Sequence, residues 1–476
     1  MSGLEPVIGL EIHVQLATRT KMFCGCRLSF GDPPNTHTCA ICLGLPGALP
    51  AVNERAIQFG LQIGLALGCT LAPRSIFHRK NYFYPDLPKG YQISQYDEPL
   101  CSGGELAGVR IHRVHLEEDA AKLTHLGESG RIHGSETSVV DFNRGGTPLV
   151  EIVTEPDLHS PAQAREWLEL LRATLRVLGV SDVNMEEGSL RADANVSLRP
   201  AGSATLGTKT ELKNMNSFRY LERGVAAEIE RQRAIIEDGG EIEQETLHFD
   251  PSSGALTALR SKEEAQDYRY FPEPDLVPIA TTEAMLAAAR AAMPELPSAR
   301  ADRFEREQAL SPERSHQLAF RVELGDFFER ALAADAAHPR RLADWIGGEL
   351  VARLGEREPA QTKLEPAALA ALVALVADAK ITAAAAREVL DALVADGGEP
   401  AAIVAERGLQ ALADEDGLAE IVARAIAADP DAAEQVRSGN AKAIGALIGP
   451  IMRETRGRAD GGELTRLIRA ALGIAE

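Results

Sequence analysis

The chain has 476 residues, a formal net charge of −20 at pH 7, and 45% hydrophobic and 25% charged residues. This composition is typical of a globular protein of about three ordinary domains, and it excludes wholesale disorder. So negative a charge argues against nucleic-acid binding through bulk charge but leaves room for local basic patches.

The sequence shows no signal for export or membrane insertion. The first five residues lack the basic and apolar regions of a signal peptide. The longest apolar runs, at 367–379 and 383–395, are interrupted by Asp, Lys and Arg, so neither spans a bilayer. We therefore expect a cytoplasmic protein.

Composition changes along the chain and predicts three domains. All six cysteines lie before residue 102 and all seven tyrosines before residue 271. After about residue 293 the apolar spacing becomes helical, and Gly397–Pro400 interrupts it. We predict an α+β protein: a first domain with an antiparallel sheet over 1–293, an all-α middle domain over 294–400 and a small all-α tail over 401–476.

Four predicted strands of the first domain alternate apolar and polar residues, so each has one polar face. A solvated face is the ordinary explanation for such a strand. Here the faces carry carboxylates, one histidine and lysines, which favours a site for Mg²⁺ and phosphate. In chain order, the strands are 7–15 with Glu11, His13 and Gln15; 109–116, followed by Glu117 and Glu118; 190–199 with Arg191, Asp193 and Asn195; and 209–213 with Lys209, Glu211 and Lys213.

The last two of these strands are predicted to form a hairpin. That pairing would bring Glu211 and Lys213 within reach of Asp193 and Asn195. No P-loop, Gly-x-Gly-x-x-Gly fingerprint or His-Glu-x-x-His helix is present. If ATP binds, it must therefore lie over a sheet, with its Mg²⁺ held by carboxylates.

The cysteine spacing predicts a second metal site. Cys24-x-Cys26 and Cys39-x2-Cys42 lie on Gly- and Pro-rich loops and can offer four thiolates to a structural Zn²⁺. Unpaired core cysteines are the alternative, and disulfides are not expected in a cytosolic protein.

Seven segments between residues 7 and 280 closely resemble the B-subunit family of bacterial glutamyl/aspartyl-tRNA amidotransferases. The resemblance continues more loosely through the helical part to Asn440–Gly449 and Gly457–Asp460. Two departures, Ala121 for a usual Gly and Thr154 for a common Ser, remove no charged group. The segments are Val7–Val14 (VIGLEIHV), Arg79–Asp97 (RKNYFYPDLPKGYQISQYD), His115–Lys122 (HLEEDAAK), Asp141–Val153 (DFNRGGTPLVEIV), Asn184–Asn195 (NMEEGSLRADAN), Glu211–Ser217 (ELKNMNS) and Asp267–Asp275 (DYRYFPEPD).

This resemblance implies a glutamine-synthetase-like catalytic domain and a tail that contacts tRNA. It also implies ATP-dependent activation of the carboxylate of Glu-tRNA(Gln) or Asp-tRNA(Asn), followed by amidation. Ammonia would come from glutamine through a partner amidase (glutaminase) subunit, with a small third subunit completing a heterotrimer.

The implied chemistry agrees with the polar strand faces. Acyl-phosphate formation needs positioning and charge neutralisation. We expect Mg²⁺ to be bound by Glu11, His13, Glu117 or Glu118, Asp193 and Glu211. We expect Lys80, Asn195 and Lys213 to contact nucleotide, phosphate or developing charge.

Two further segments are candidates for tRNA contact. The aromatic segment 267–271 could shape the rim of the site or stack on the tRNA end, with core tyrosines as the alternative. In the tail, helical apolar spacing over 444–452 predicts a buried side, with Arg453 and Arg456 facing outward and Arg458 nearby. A solvated helix face without a ligand is the alternative there.

Two other functions fit part of the sequence. A stand-alone ATP-dependent ligase for a small carboxylic acid would share the strand faces but have no use for the long helical extension. A non-catalytic protein for tRNA binding or assembly would not need Glu11, His13, Asp193 and Glu211.

Overall fold

The computed structural model describes residues 3–126, 135, 137–261, 267–355, 357–412, 415–455 and 457–474. The chain divides into two compact units, Met1–Leu296 and Pro297–Glu476. The first is mixed α/β with a large sheet and the second is helical, as predicted. The finer division into three domains stays a prediction.

The first unit contains seventeen strands and four helices in its described residues. The strands are β1 Leu4–Gln15, β2 Thr70–Leu71, β3 Arg74–Ser75, β4 His78–Asn81, β5 Tyr91–Ser94, β6 Cys101–Ser102, β7 Glu105–Leu106, β8 Val109–Glu118, β9 Lys122–Leu126, β10 Thr137–Asp141, β11 Pro148–Thr154, β12 Leu190–Pro200, β13 Thr210–Met215, β14 Glu245–Phe249, β15 Leu256–Ser261, β16 Phe271–Pro272 and β17 Ile279–Ala280. The helices are α1 Glu54–Ala66, α2 Pro161–Leu178, α3 Phe218–Glu237 and α4 Glu283–Ala291.

The main sheet has ten strands, nine of them in the order β15-β14-β13-β12-β1-β11-β8-β6-β2, with β7 paired to β8. Its central pairs are antiparallel, as predicted, and β12 and β13 pair as the predicted hairpin. The prediction missed that β13 and β14 are parallel. Because α3 crosses over between these two strands, it returns the chain to the same end of the sheet.

One face of the sheet is apolar and supports the helices. Ile8, Leu10, Ile12 and Val14 of β1 are each at most 1% exposed. α3 packs against β12, and α1 packs against β8. The polar residues of the same strands are therefore left on the other face.

In its described residues, the second unit has helices and short turns as its regular secondary structure. They are α5 Pro297–Gln308, α6 Pro312–Phe320, α7 Val322–Ala334, α8 Pro339–Asp344, a π-helical turn Trp345–Leu350, α9 Val351–Leu354, α10 Pro366–Ala377, α11 Ala383–Asp396, α12 Pro400–Arg407, α13 Glu415–Ala428, α14 Pro430–Arg437, α15 Ile444–Glu454 and α16 Gly461–Ala471, with 3-10 turns at Pro359–Gln361 and Ala441–Ala443. None of the helices described in either unit is both long and apolar enough to cross a membrane.

Two clusters of buried hydrophobic residues lie in this unit. The first runs from Ala301 to Leu409 and the second from Leu418 to Leu472. The boundary predicted at residue 400 coincides with the start of α12, yet Val404 of that helix and the following Leu409 pack into the first cluster. The change between clusters therefore follows Leu409.

Candidate active site

Strand register places the predicted polar residues side by side across the sheet. Glu11 pairs with Asp193, and Asn195 pairs with Glu211. His13 is opposite Glu151 of β11, which is itself opposite His115 of β8. Polar side chains from five neighbouring strands thus share one surface.

The most compact group on this surface combines His13, Glu117 and Glu151. Nε2 of His13 lies 3.6 Å from Oε1 of Glu117 and 3.6 Å from Oε2 of Glu151. The three side chains offer ligand atoms within 4.8 Å of one another. Glu117 and Glu151 are buried, whereas His13 is half-buried. This geometry can hold one cation from three adjacent strands.

His115 contacts both carboxylates of this group. Its Nε2 lies 3.3 Å from Oε2 of Glu151 and 3.8 Å from Oε2 of Glu117. Burial lowers the pKa of His115, but Glu151 and Glu117 outweigh burial and raise this pKa to about 9. Burial raises the pKa of both carboxyls, yet His115 helps to hold both below their usual range. Both carboxylates are therefore ionised at neutral pH.

Lys80 approaches the same group from β4. Burial lowers the pKa of its ammonium, but Glu117, Tyr270 and Glu151 outweigh burial, so that this pKa is raised. Its Nζ lies 4.8 Å from the centre of the Tyr268 ring. The 267–271 segment therefore lies beside the site, which agrees with a place at its rim.

A second group lies on β1, β12 and β13. Asn195 donates a hydrogen bond from Nδ2 to Oε1 of Glu11 at 2.9 Å. Nζ of Lys213 lies 3.0 Å from Oε1 of Glu211 and 3.7 Å from Oδ2 of Asp193. Burial opposes both charges, but Asp193 and Glu211 outweigh it and raise the pKa of Lys213. Lys213 in turn lowers the pKa of Glu211.

The predicted magnesium ligands are therefore divided between two groups rather than gathered in one. His13 and Glu117 lie in the first, and Glu11, Asp193 and Glu211 lie in the second. Within the described residues, only the first group and a cysteine cluster bring three or more ligand atoms within 4.8 Å of one another. Lys213 lies between two carboxylates of the second group and offsets their charge.

Glu118 faces away from both groups. Successive side chains of a strand point to opposite faces, so Glu117 and Glu118 diverge. Glu118 is ion-paired with Lys89 and accepts a hydrogen bond from the backbone N–H of Ile93 at 2.9 Å. It lines a cavity of about 90 Å³ together with Cys24 and Lys21. Of the two alternatives, the geometry brings only Glu117 to His13.

Sequence reasoning did not assign roles to Glu151 and His115. Glu151 is the one charged residue within the apolar run of β11, where continuous hydrophobicity hid the alternation. His115 precedes Glu117 by two residues and so shares its face. A charged residue isolated in an apolar strand was the available signal.

The four predicted cysteine ligands converge. Cys24, Cys26, Cys39 and Cys42 offer sulfur atoms within 4.8 Å of one another. Cys24 donates a hydrogen bond to Cys42, lowering the pKa of the Cys42 thiol to about 4 despite burial, with help from Lys21. The backbone N–H of Cys39 also donates to Sγ of Cys42 at 3.1 Å. Four convergent thiols on loops fit a closed tetrahedral metal site.

The predicted tail residues have different environments. Leu447 and Ile451 bury one side of α15, as predicted, and Arg453 is exposed. Arg458 is half-buried and donates from Nε to the carbonyl of Thr455 at 3.2 Å. Arg456 lies outside the described residues.

Comparison with known proteins gives full-length matches. A family model described as the GatB/GatE catalytic domain matches residues 6–287, and one described as the GatB domain matches residues 326–472. Several bacterial proteins named as the B subunit of aspartyl/glutamyl-tRNA(Asn/Gln) amidotransferase are similar along their whole length. That of Thermobifida fusca is 49% identical, covering 100% of this chain and 95% of its own, and that of Thermomicrobium roseum is 50% identical, covering 98% of each. The resemblance noted in the sequence is confirmed, and the chain belongs to the GatB/GatE family of tRNA-dependent amidotransferase B subunits.

Proposed function

We propose that this chain activates the side-chain carboxylate of a misacylated tRNA with ATP and then amidates it. The substrates are Glu-tRNA(Gln), Asp-tRNA(Asn) or both. The names of its relatives support the tRNA-dependent amidation. The observation that carries the activation step is the convergence of His13, Glu117 and Glu151 within 4.8 Å on a sheet face that also holds lysines.

The donor set of the first group fits a divalent cation. Two buried carboxylates and one imidazole would bind Mg²⁺ alongside phosphate and water oxygens. Such an ion neutralises phosphate charge when bound. Glu11, Asp193 and Glu211 form a second acidic group on the same face, beside Lys213.

The chain's own residues would position the reactants. Ammonia cannot displace oxide from a carboxylate. One carboxylate oxygen must therefore first accept the γ-phosphoryl group of ATP, and that oxygen then leaves as part of phosphate. Lys80 and Lys213 would neutralise charge on the transferring group, and Asn195 would orient Glu11 or contact the nucleotide. Attack of ammonia on the acyl phosphate releases phosphate and a proton and leaves the amide.

Ammonia and the remaining subunits come from elsewhere. The relatives are named as B subunits, which implies a complex of several chains. We propose a partner amidase that hydrolyses glutamine, and a small third subunit. The glutamine-synthetase-like character of the first unit, a structural Zn²⁺ at the four cysteines and tRNA contact by the tail belong to the same proposal.

The test uses the three-subunit enzyme with each misacylated tRNA, ATP and glutamine. Glu11→Ala, His13→Ala and Glu211→Ala should each abolish amidation, while glutamine hydrolysis persists at least in part. The hydrolysis serves as the control because it belongs to the partner amidase. Full amidation by Glu211→Ala would overturn the assignment of the second group.

The same assay separates the other functions. ATP turnover that depends on free glutamate, without tRNA, would identify a small-molecule ligase. Absence of Mg²⁺-dependent ATP binding would identify a non-catalytic protein.

A further inference from the structure

Arg113 lies at the edge of the His13–Glu117–Glu151 group and has no role in the reaction as described so far. It precedes His115 by two residues on β8 and therefore shares its face. Its side chain is 31% exposed. Its Nη2 lies 3.7 Å from Oε1 of Glu151, which is longer than a hydrogen bond.

One buried nitrogen of the Arg113 guanidinium lacks a hydrogen-bond acceptor within the described part of the chain. Nε of Arg113 is buried and has no hydrogen-bond partner in the described residues. Buried charged donors are nearly always paired, because an unmade hydrogen bond costs free energy. The remaining donors are arranged as a planar fork that matches two oxygens of one anion.

The surroundings of Arg113 point to a ligand oxygen. Burial raises the pKa of Tyr270, which Lys80 lowers, Glu117 and Glu151 raise, and Arg113 lowers. Two cations and two carboxylates thus lie near this tyrosine, at a site that must bring phosphate and carboxylate together. Glu151 also lies close to His13 and His115, so it does not pair with all the donors of Arg113.

We infer that Arg113 binds the side-chain carboxylate of the aminoacyl group carried by the tRNA. This inference rests on the proposed function. The carboxylate must approach the γ-phosphoryl group to about 3–3.5 Å. A guanidinium beside the acidic group, but outside its ligand set, can orient the carboxylate with its fork so that one carboxylate oxygen faces the γ-phosphoryl group.

The experiment compares Arg113→Gln and Arg113→Lys with wild type in the assembled three-subunit enzyme. Arg110→Gln is the matched control, because Arg110 lies on the same strand and pairs outside the site with Asp157 at 2.7 Å. The measurements are kcat/KM for whichever of Glu-tRNA(Gln) and Asp-tRNA(Asn) the wild type amidates, KM for ATP, the Mg²⁺ dependence, and Kd for aminoacylated and deacylated tRNA.

We expect Arg113→Gln to lower kcat/KM for the misacylated tRNA by about 30-fold or more. KM for ATP should change by less than about threefold. The variant should also lose any preference of wild type for aminoacylated over deacylated tRNA. Arg113→Lys should recover only part of the loss, because it keeps the charge without the fork. Arg110→Gln should behave as wild type.

Three outcomes overturn the inference. A matching rise in KM for ATP would show that Arg113 binds phosphate. A higher Mg²⁺ requirement that restores full activity at saturation would show that Arg113 only orients Glu151. An unchanged preference for aminoacylated tRNA in both variants would remove the carboxylate contact. Failure of wild type to form ADP with misacylated tRNA would instead refute the proposed function itself.

Discussion

Glu117 and Glu118 are adjacent on β8, yet they lie in different chemical environments. Glu117 faces His13 and His115, and accepts a hydrogen bond from Ser94 Oγ at 3.1 Å. Glu118 faces the side of the cysteine loops and pairs with Lys89. Because a strand alternates its side chains, one step along the chain changes the environment completely.

We predict that Glu117→Gln lowers tRNA-dependent ADP formation by about 100-fold or more, because it removes a charged oxygen from the proposed Mg²⁺ site. Glu118→Gln should keep ADP formation within about fivefold of wild type, since its amide oxygen can still accept from Ile93. ADP formation by each variant is measured in a single turnover of the assembled enzyme. Equal losses in the two variants would contradict the division between faces.

At the scale of elements, a buried polar network joins α3 to the strands that carry the second acidic group. Glu228 of α3 is 0% exposed and accepts a hydrogen bond from Thr210 Oγ1 at 2.7 Å. Gln232 donates to Glu228 at 2.8 Å and to the carbonyl of Val196 at 3.0 Å. Thr210 directly precedes Glu211, so the network fixes β13 from behind the site.

We predict that Glu228→Ala lowers the free energy of unfolding of the first unit by about 2–4 kcal/mol, because buried donors lose their acceptor. A Trp345→Phe background leaves Trp167 as the fluorescent reporter of this unit. Glu230→Ala, with its exposed pair to Arg233, is the control and should change stability by less than about 1 kcal/mol. If Glu228→Ala lowered the free energy of unfolding no more than Glu230→Ala does, the buried network would contribute little to stability.

The cysteine segment between β1 and α1 has little regular secondary structure in the described residues. A metal ion bound by the four convergent thiols would link the loops of this segment. The segment also places Lys21 against the carbonyl of Phe142, at 2.8 Å. Its order should therefore depend on the metal.

We predict about one Zn²⁺ per chain in freshly purified protein, because the four thiols form one site. Cys24→Ser should reduce the zinc content and speed tryptic cleavage after the exposed Arg27 by about tenfold or more. Cys69→Ser is the matched control and should keep both properties. Metal analysis that finds no zinc would refute the site.

At the scale of the whole molecule, a net charge of −20 repels the proposed tRNA substrate at long range. The second unit offers α15, whose apolar side packs into the second helical cluster while Arg453 stays exposed. This cluster is tied to the first by Thr382, which donates from Oγ1 to the carbonyl of Gly457 at 2.6 Å. A fixed basic position can therefore act locally despite the overall charge.

We predict that Arg453→Glu weakens tRNA binding by about 3–10-fold and lowers the slope of log Kd against log salt by about one. Arg453→Lys should retain both values, because phosphate contact needs only the charge. Truncation after Gln410, which keeps the first cluster, should raise Kd for tRNA about tenfold or more. Unchanged tRNA affinity of the truncated enzyme at equal ionic strength would exclude the tail from binding.

The sequence alone determined the family, the strands with polar faces, the β12–β13 hairpin and the convergence of the cysteines. These follow from local patterns: two-residue alternation, ligand spacing and dense motifs. His13, Asp193 and Glu211 were assignable because each lies on the polar face of a strand that alternates apolar and polar residues.

Only the tertiary structure decided how those strands meet. Register across β8, β11 and β1 joined His115, Glu151 and His13, which lie far apart in the chain. It also separated Glu118 from Glu117 and divided the predicted magnesium ligands into two groups. Pairing between distant strands depends on the complete sheet, so no local pattern specifies which carboxylates become neighbours.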